Sequence, residues 1–150
     1  MMINSNQINT IWRNRPRPRS SIIVDGTYET LDKAIILNKI FPLYWRWLSM
    51  IKLTKWAHKW DCDNFAESFK VFSGGFFAAN VESQAEAYAV GVIHYVANSR
   101  NEDGRKGGHA INIALTIENN QIIPLFIEPQ NGMILTLTPE EYNSIWMIYI

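Results

Sequence analysis

Residues 107–132 read GGHAINIALTIENNQIIPLFIEPQNG. The run His109 to Ile117, a turn at Glu118 to Gln121 and the run Ile122 to Glu128 together spell a β-hairpin. The hairpin closes through Asn119 and Asn120, or through the four residues 118 to 121. Either even loop sets Ile111 opposite Glu128 and His109 opposite Gln130, with all four side chains on one face. His109 and Glu128 are then diagonal neighbours, about 7–8 Å apart at the backbone. An odd loop would turn Glu128 to the other face.

The pattern extends outward from this hairpin. Val90, Val92, His94 and Val96 alternate with Ala89, Gly91, Ile93 and Tyr95, so the preceding strand is apolar on both faces. Asn98 to Gly108 is polar and glycine-rich, the composition of a surface loop. After the turn Pro129 to Gly132, Met133 to Leu137 reads as a strand. Thr138, Pro139, Glu140 and Glu141 spell a capping box with proline at the first helical position. A last strand covers Ile145 to Ile150, an apolar run that pairs within the sheet or across a homodimer.

The N-terminal part has a helical texture. Thr30 caps a first helix, which Pro42 ends or kinks. In Leu43 to Trp56, residues Tyr44, Trp47, Leu48 and Ile51 share one apolar face. Trp45, Trp47, Trp56 and Trp60 crowd this region, as core packing or as an aromatic wall for a peptide or sugar. A third helix starts near Asp61, with Cys62, Phe65, Ala66 and Phe69 on one face and Ser73, Gly74 and Gly75 as its stop. Val81 to Ala87 reads as a short helix. Helices first and a sheet afterwards predict an α+β domain: an N-terminal helical half followed by a mainly antiparallel sheet.

The chain has 150 residues, 47% of them hydrophobic, with 14 basic and 14 acidic side chains. That length fits one domain over 1–150, and the apolar content excludes a disordered chain. Zero net charge argues against general nucleic-acid binding. The charge is nevertheless divided: residues 1–60 hold ten basic and three acidic residues, and 61–150 hold four and eleven. Residues 1–20, with Arg13, Arg15, Arg17 and Arg19 between Pro16 and Pro18, read as a basic arm lying on the acidic remainder. No signal peptide or membrane span is apparent, which fits a cytoplasmic protein. A single cysteine excludes an internal disulfide.

Three clusters carry chemistry: Asp61 to Ala66 (DCDNFA), Gly107 to Asn112 (GGHAIN) and Phe126 to Gly132 (FIEPQNG). In chain order they supply a thiol, an imidazole and a carboxylate, the set used to activate and orient a cysteine nucleophile. Asp61 as N-cap places Cys62 in the first turn of a helix, where the helix dipole favours a thiolate. Asp61 and Asp63 oppose that effect unless they point away or meet a cation. His58 and His94 have no carboxylate in an equivalent place. A zinc site at Cys62, His109 and Asp63 lacks the usual ligand spacing.

The clusters, with AYAVGVI before them, resemble the C-terminal domain of Marasmius oreades agglutinin, a papain-like cysteine protease domain, over residues 60–150. The resemblance implies a papain-like fold, with Cys62 as nucleophile, His109 as general base and Glu128 orienting the histidine. It also implies calcium as an activator, which suits Asp61 and Asp63.

The leading expectation is a thiol hydrolase that cleaves a peptide or other amide bond in a protein substrate. The Cys62 N–H would serve as oxyanion donor, with Gln130 or Asn64 as a second. The alternatives are a transglutaminase-like acyl transferase, and a catalytically inactive binding or inhibitory module that uses the tryptophan-rich half.

Overall fold

The computed structural model describes residues 1–150. Its elements in chain order begin with β1 (Met2–Asn4), α1 (Ser5–Ile8) with a following 3-10 turn (Asn9–Trp12), β2 (Ser20–Ile22) and β3 (Thr27–Glu29). A helical run then comprises α2 (Lys33–Ile35), a π-helical segment (Ile36–Ile40) and α3 (Phe41–Met50). The long helix α4 (Cys62–Asn80) leads to β4 (Ala87–Tyr88), β5 (Val90–Ala97), β6 (Gly107–Glu118), β7 (Gln121–Glu128) and β8 (Met133–Leu135). Helix α5 (Pro139–Asn143) and β9 (Met147–Tyr149) complete the chain.

The expectation of an N-terminal helical half is corrected. Two sheets organise the molecule, a three-stranded one in the order β1-β3-β4 and a six-stranded one in the order β2-β9-β5-β6-β7-β8. Three of the nine strands come from the first thirty residues. Each is three residues long and pairs with a partner distant in sequence, so no local alternation announces it. The β2–β9 and β3–β4 pairings are parallel. The apolar C-terminal run is taken up inside the large sheet, where β9 lies between β2 and β5.

The central hairpin keeps the even register. Asn112 faces Ile127 and Glu118 faces Gln121. Asn119 and Asn120 turn the chain at φ 48° and 60°, the left-handed pair that matches the twist of a two-residue hairpin. Both faces of β5 and β6 are largely buried.

Helix α4 lies across β5 and β6. Phe65, Ala66 and Phe69 are buried, and Ala66 packs with Val92 and Ala110 beside Cys62. Asn112 fastens the helix to the sheet: its buried amide donates to Ala66 O at 2.8 Å and to Gly91 O at 3.0 Å. Gly91 has no room for a side chain, because a Cβ there would meet Tyr149 O at 2.5 Å.

Three local expectations change. Pro42 does not end its helix. The π-helical segment in front of it closes with Phe41 N–H on Ile36 O, and that wider turn relieves the clash a proline makes with the preceding turn. Gly74 and Gly75 do not stop α4, which continues to Asn80 while Phe77 and Ser73 pack inward. Val81 to Glu86 is irregular, and the chain after it enters β4. Ile3, Ile8 and Trp12 belong to the core, and Arg15 lies over the Tyr142 ring at 3.9 Å.

Candidate functional site

The site forms where the first turn of α4 meets the ends of β6 and β7. Cys62 opens α4 and is partly exposed, while His109 and Glu128 are both 3% exposed. His109 Nε2 and Glu128 Oε2 are 2.7 Å apart. Glu128 Oε1 accepts the Gln130 N–H at 3.2 Å, and the Glu128 carbonyl accepts the Gly132 N–H at 2.7 Å, so the acid is held by its own turn. Gly132 makes that turn at φ 75°.

The other ring nitrogen, Nδ1, faces Cys62. The thiol sulfur, Nδ1 and a Glu102 carboxylate oxygen lie within 4.8 Å of one another. Burial works against a charged His109, but its interactions with Cys62 and Glu128 and the charges of Glu128 and Glu102 outweigh burial. Together they push its pKa up to about 9. The ring is therefore an imidazolium at neutral pH, a charge partner for a thiolate.

The structure thus brings Cys62, His109 and Glu128 into one chain of contacts. Asn64 supports the start of the helix, its Oδ1 accepting the Asp61 N–H at 3.1 Å. Gln130 Nε2 is buried without a hydrogen-bond partner next to the Glu128 turn. Asp61 is the N-cap of α4. Asp63 Oδ1 lies 3.6 Å from Cys62 Sγ and 3.8 Å from His94 Nδ1, and its side chain is 59% exposed. Asp63 therefore does not point away from the thiol.

Sequence reasoning missed two residues. In the sequence Asn112 is one residue of a strand motif, yet it ties α4 to the sheet at the level of the site. The composition around Glu102 is that of a solvated loop. The Glu102 side chain is 5% exposed, with Oε2 3.7 Å from His109 Nδ1 and Oε1 3.8 Å from Arg100 Nε. The loop's own alternation carries no signal that one of its acids turns inward.

A second concavity of about 320 Å³ lies on the outer face of α4. Asn64, Glu67 and Ser68 line it with Trp47, Trp60 and Phe72. Trp60 stacks edge-on against Phe65, and its indole N–H is buried without a partner.

No family model and no curated protein sequence matches the chain. Solved structures do. The PSL1a–E64 complex superposes with a TM-score of 0.72 at 22% identity, covering 99% of this chain and 51% of that one. Polyporus squamosus lectin, bound to the human-type influenza-binding epitope Neu5Acα2-6Galβ1-4GlcNAc, gives 0.71 at 21%, covering 99% and 49%. The fold is shared with about half of a lectin chain.

These matches correct the functional reading of the sequence. Papain-like cysteine protease, thiol hydrolase and transglutaminase-like acyl transferase give way to a fold whose solved representatives include a lectin. The motifs behind the resemblance have structural work of their own. Asp61 and Asn64 start α4, Asn112 clamps it, and Glu128 to Gly132 closes a tight turn. No helix is long and apolar enough to cross a membrane.

Proposed function

We propose that this chain is a glycan-binding module, with its ligand seated in the concavity on the outer face of α4. The observation that carries this reading is the lining. Trp47, Trp60 and Phe72 offer flat apolar surface, while Asn64, Glu67 and Ser68 offer an amide, a carboxylate and a hydroxyl at helical spacing. Small-molecule sites combine apolar walls with a few placed polar groups in this way. A sugar presents both an apolar ring face and a rim of hydroxyls. The Polyporus squamosus lectin, described with its bound epitope, supports the glycan class.

Titration calorimetry against a panel of glycans, beginning with Neu5Acα2-6Galβ1-4GlcNAc, tests the reading. Binding that falls at least tenfold in Trp60→Ala and in Glu67→Ala, with both variants folded, is the expected result. No binding by the wild type, or binding unaffected by either change, overturns it.

A second reading concerns the other side of the same helix, where His109 is clamped between Cys62 and Glu128. Cys62 would be a reactive thiol, with His109 as its charge partner, Glu128 orienting the ring, and Gln130 and Asn64 as polar contacts for a captured ligand. PSL1a is described as a complex with E64, which makes E64 the first probe. Rapid alkylation of Cys62 by iodoacetamide at neutral pH, lost in His109→Ala, is expected; slow labelling equal in both proteins removes this reading. Calcium at Asp61 and Asp63 is tested in the same samples. Calcium should raise the melting temperature of the wild type but not of Asp63→Asn.

A further inference from the structure

Two buried polar atoms inside the site have no hydrogen-bond partner. His109 Nδ1 and Glu102 Oε2 are both buried and make no hydrogen bond, although they face each other at 3.7 Å. Their side chains are 1% and 5% exposed. An N–H···O hydrogen bond spans about 2.7–3.2 Å, so this separation is too long for one. A buried polar atom left unpaired is destabilising, and two of them aimed at one point call for a common partner. The Cys62 sulfur completes the triangle, with all three atoms within 4.8 Å.

We propose that Cys62, Glu102 and His109 form a zinc-binding site. Zinc takes sulfur at about 2.3 Å, nitrogen at about 2.0–2.1 Å and carboxylate oxygen at about 2.0–2.2 Å, so neighbouring ligand atoms stand roughly 3.4–3.6 Å apart. The separation of Nδ1 and Oε2 is close to an edge of that tetrahedron. A thiolate, an imidazole and a carboxylate suit a borderline-soft ion. Calcium, which needs about 6–8 oxygens, is a poor match for them.

The outer shell is also in place. Glu128 accepts from His109 Nε2–H, so Nδ1 is the nitrogen that would give up its proton and ligate the metal, and Gln130 N–H holds Glu128. Arg100 approaches Glu102 from the loop side. A water would take the fourth position, on the open side of the partly exposed Cys62.

Metal binding would displace two protons to solvent, one from the Cys62 thiol and one from His109 Nδ1, and mask the sulfur. It would also pin the connection Asn98–Lys106 to the start of α4. The inference stands independently of the glycan reading, because it uses the opposite side of the helix.

The test uses cobalt(II) as a spectroscopic substitute, followed by zinc competition, on the full chain. One equivalent of cobalt should give a thiolate-to-metal charge-transfer band and tetrahedral visible bands, and one equivalent of zinc should bleach them. Cys62→Ser should lose the charge-transfer band, and Glu102→Gln should weaken zinc binding at least tenfold. His58→Ala, at an exposed site, should bind as the wild type does. Zinc should also protect Cys62 from iodoacetamide. Absence of the band in folded wild type overturns the site. So does unchanged affinity in Glu102→Gln, or a loss in Asp63→Asn in place of Glu102→Gln.

Discussion

Two acids flank one imidazole, and they are held in different ways. Glu128 stands at the end of β7, opposite the strand that carries His109, and reaches Nε2 at 2.7 Å. Glu102 sits in the irregular connection between β5 and β6 and stops 3.7 Å from Nδ1. One is placed by the register of a hairpin, the other by a loop whose other acid, Asp103, is bound to Arg100. The difference teaches which contact belongs to the scaffold and which is available for change. Sheet registry fixes the first pair before any ligand arrives. The second pair has buried its charges without joining them.

Removing each acid in turn should break the symmetry most visibly. Glu128→Leu strips the buried imidazolium of its hydrogen-bonded partner, and breaking a buried ion pair costs about 3–5 kcal/mol. Glu102→Gln keeps the shape of a side chain that makes no direct bond to the ring, and should cost less than about 1 kcal/mol. Urea unfolding of both variants at pH 7 measures the gap. Equal losses would mean that the loop acid is as much a part of the scaffold as the strand acid.

Asn112 tests the scaffold side alone. Asn112→Ala removes two donors from the buried carbonyls of Ala66 and Gly91, and each unsatisfied group costs roughly 1–3 kcal/mol. A total loss of about 2–4 kcal/mol is expected by the same unfolding measurement, together with faster hydrogen exchange in the first turns of α4.

The hairpin half was legible in the sequence because strand period and an even turn fix register together. Once Asn119 and Asn120 close the loop, the faces of His109 and Glu128 follow. Cys62 was legible through its place after a capping aspartate. The remainder was hidden for physical reasons. The strands Met2–Asn4 and Ser20–Ile22 are too short to show a period, and their partners come from distant parts of the chain. Pro42 reads as a break unless a π-helical turn precedes it. Glu102 is polar in a polar loop, and only the fold turns it inward. The concavity of Trp47, Trp60 and Asn64 combines α3, α4 and the link between them, which no single motif spells.

The pH dependence of stability sharpens the comparison between the two acids. Folded His109 holds its proton up to about pH 9, against 6.5 for an unperturbed histidine. The folded state therefore binds that proton more tightly than the unfolded one. The resulting stabilisation is complete below about pH 6.5 and is lost as pH rises through about 9. The melting temperature should fall across this window in the wild type. Glu128→Gln should flatten the slope strongly, and Glu102→Gln only slightly, because the strand acid both bonds and charges the ring. A flat wild-type profile would show that His109 is neutral in the folded state.

The smallest effect concerns α4 itself, which supplies Cys62 to the site and Asn64 to the concavity. Gly74 and Gly75 lie inside this helix, and a Cβ at either position would meet nothing within 4 Å. Glycine costs about 0.8–1.0 kcal/mol relative to alanine in a helix interior, chiefly because the unfolded chain loses more freedom there. Gly74→Ala and Gly75→Ala should each raise stability by about 0.5–1 kcal/mol, and the two together should be nearly additive. Neither change touches the site, so glycan titration and Cys62 labelling should stay at wild-type values. If stability rises while either readout shifts, the C-terminal half of α4 does more than support its first turn. The pair of glycines would then mark a flexible joint between the site and the rest of the helix.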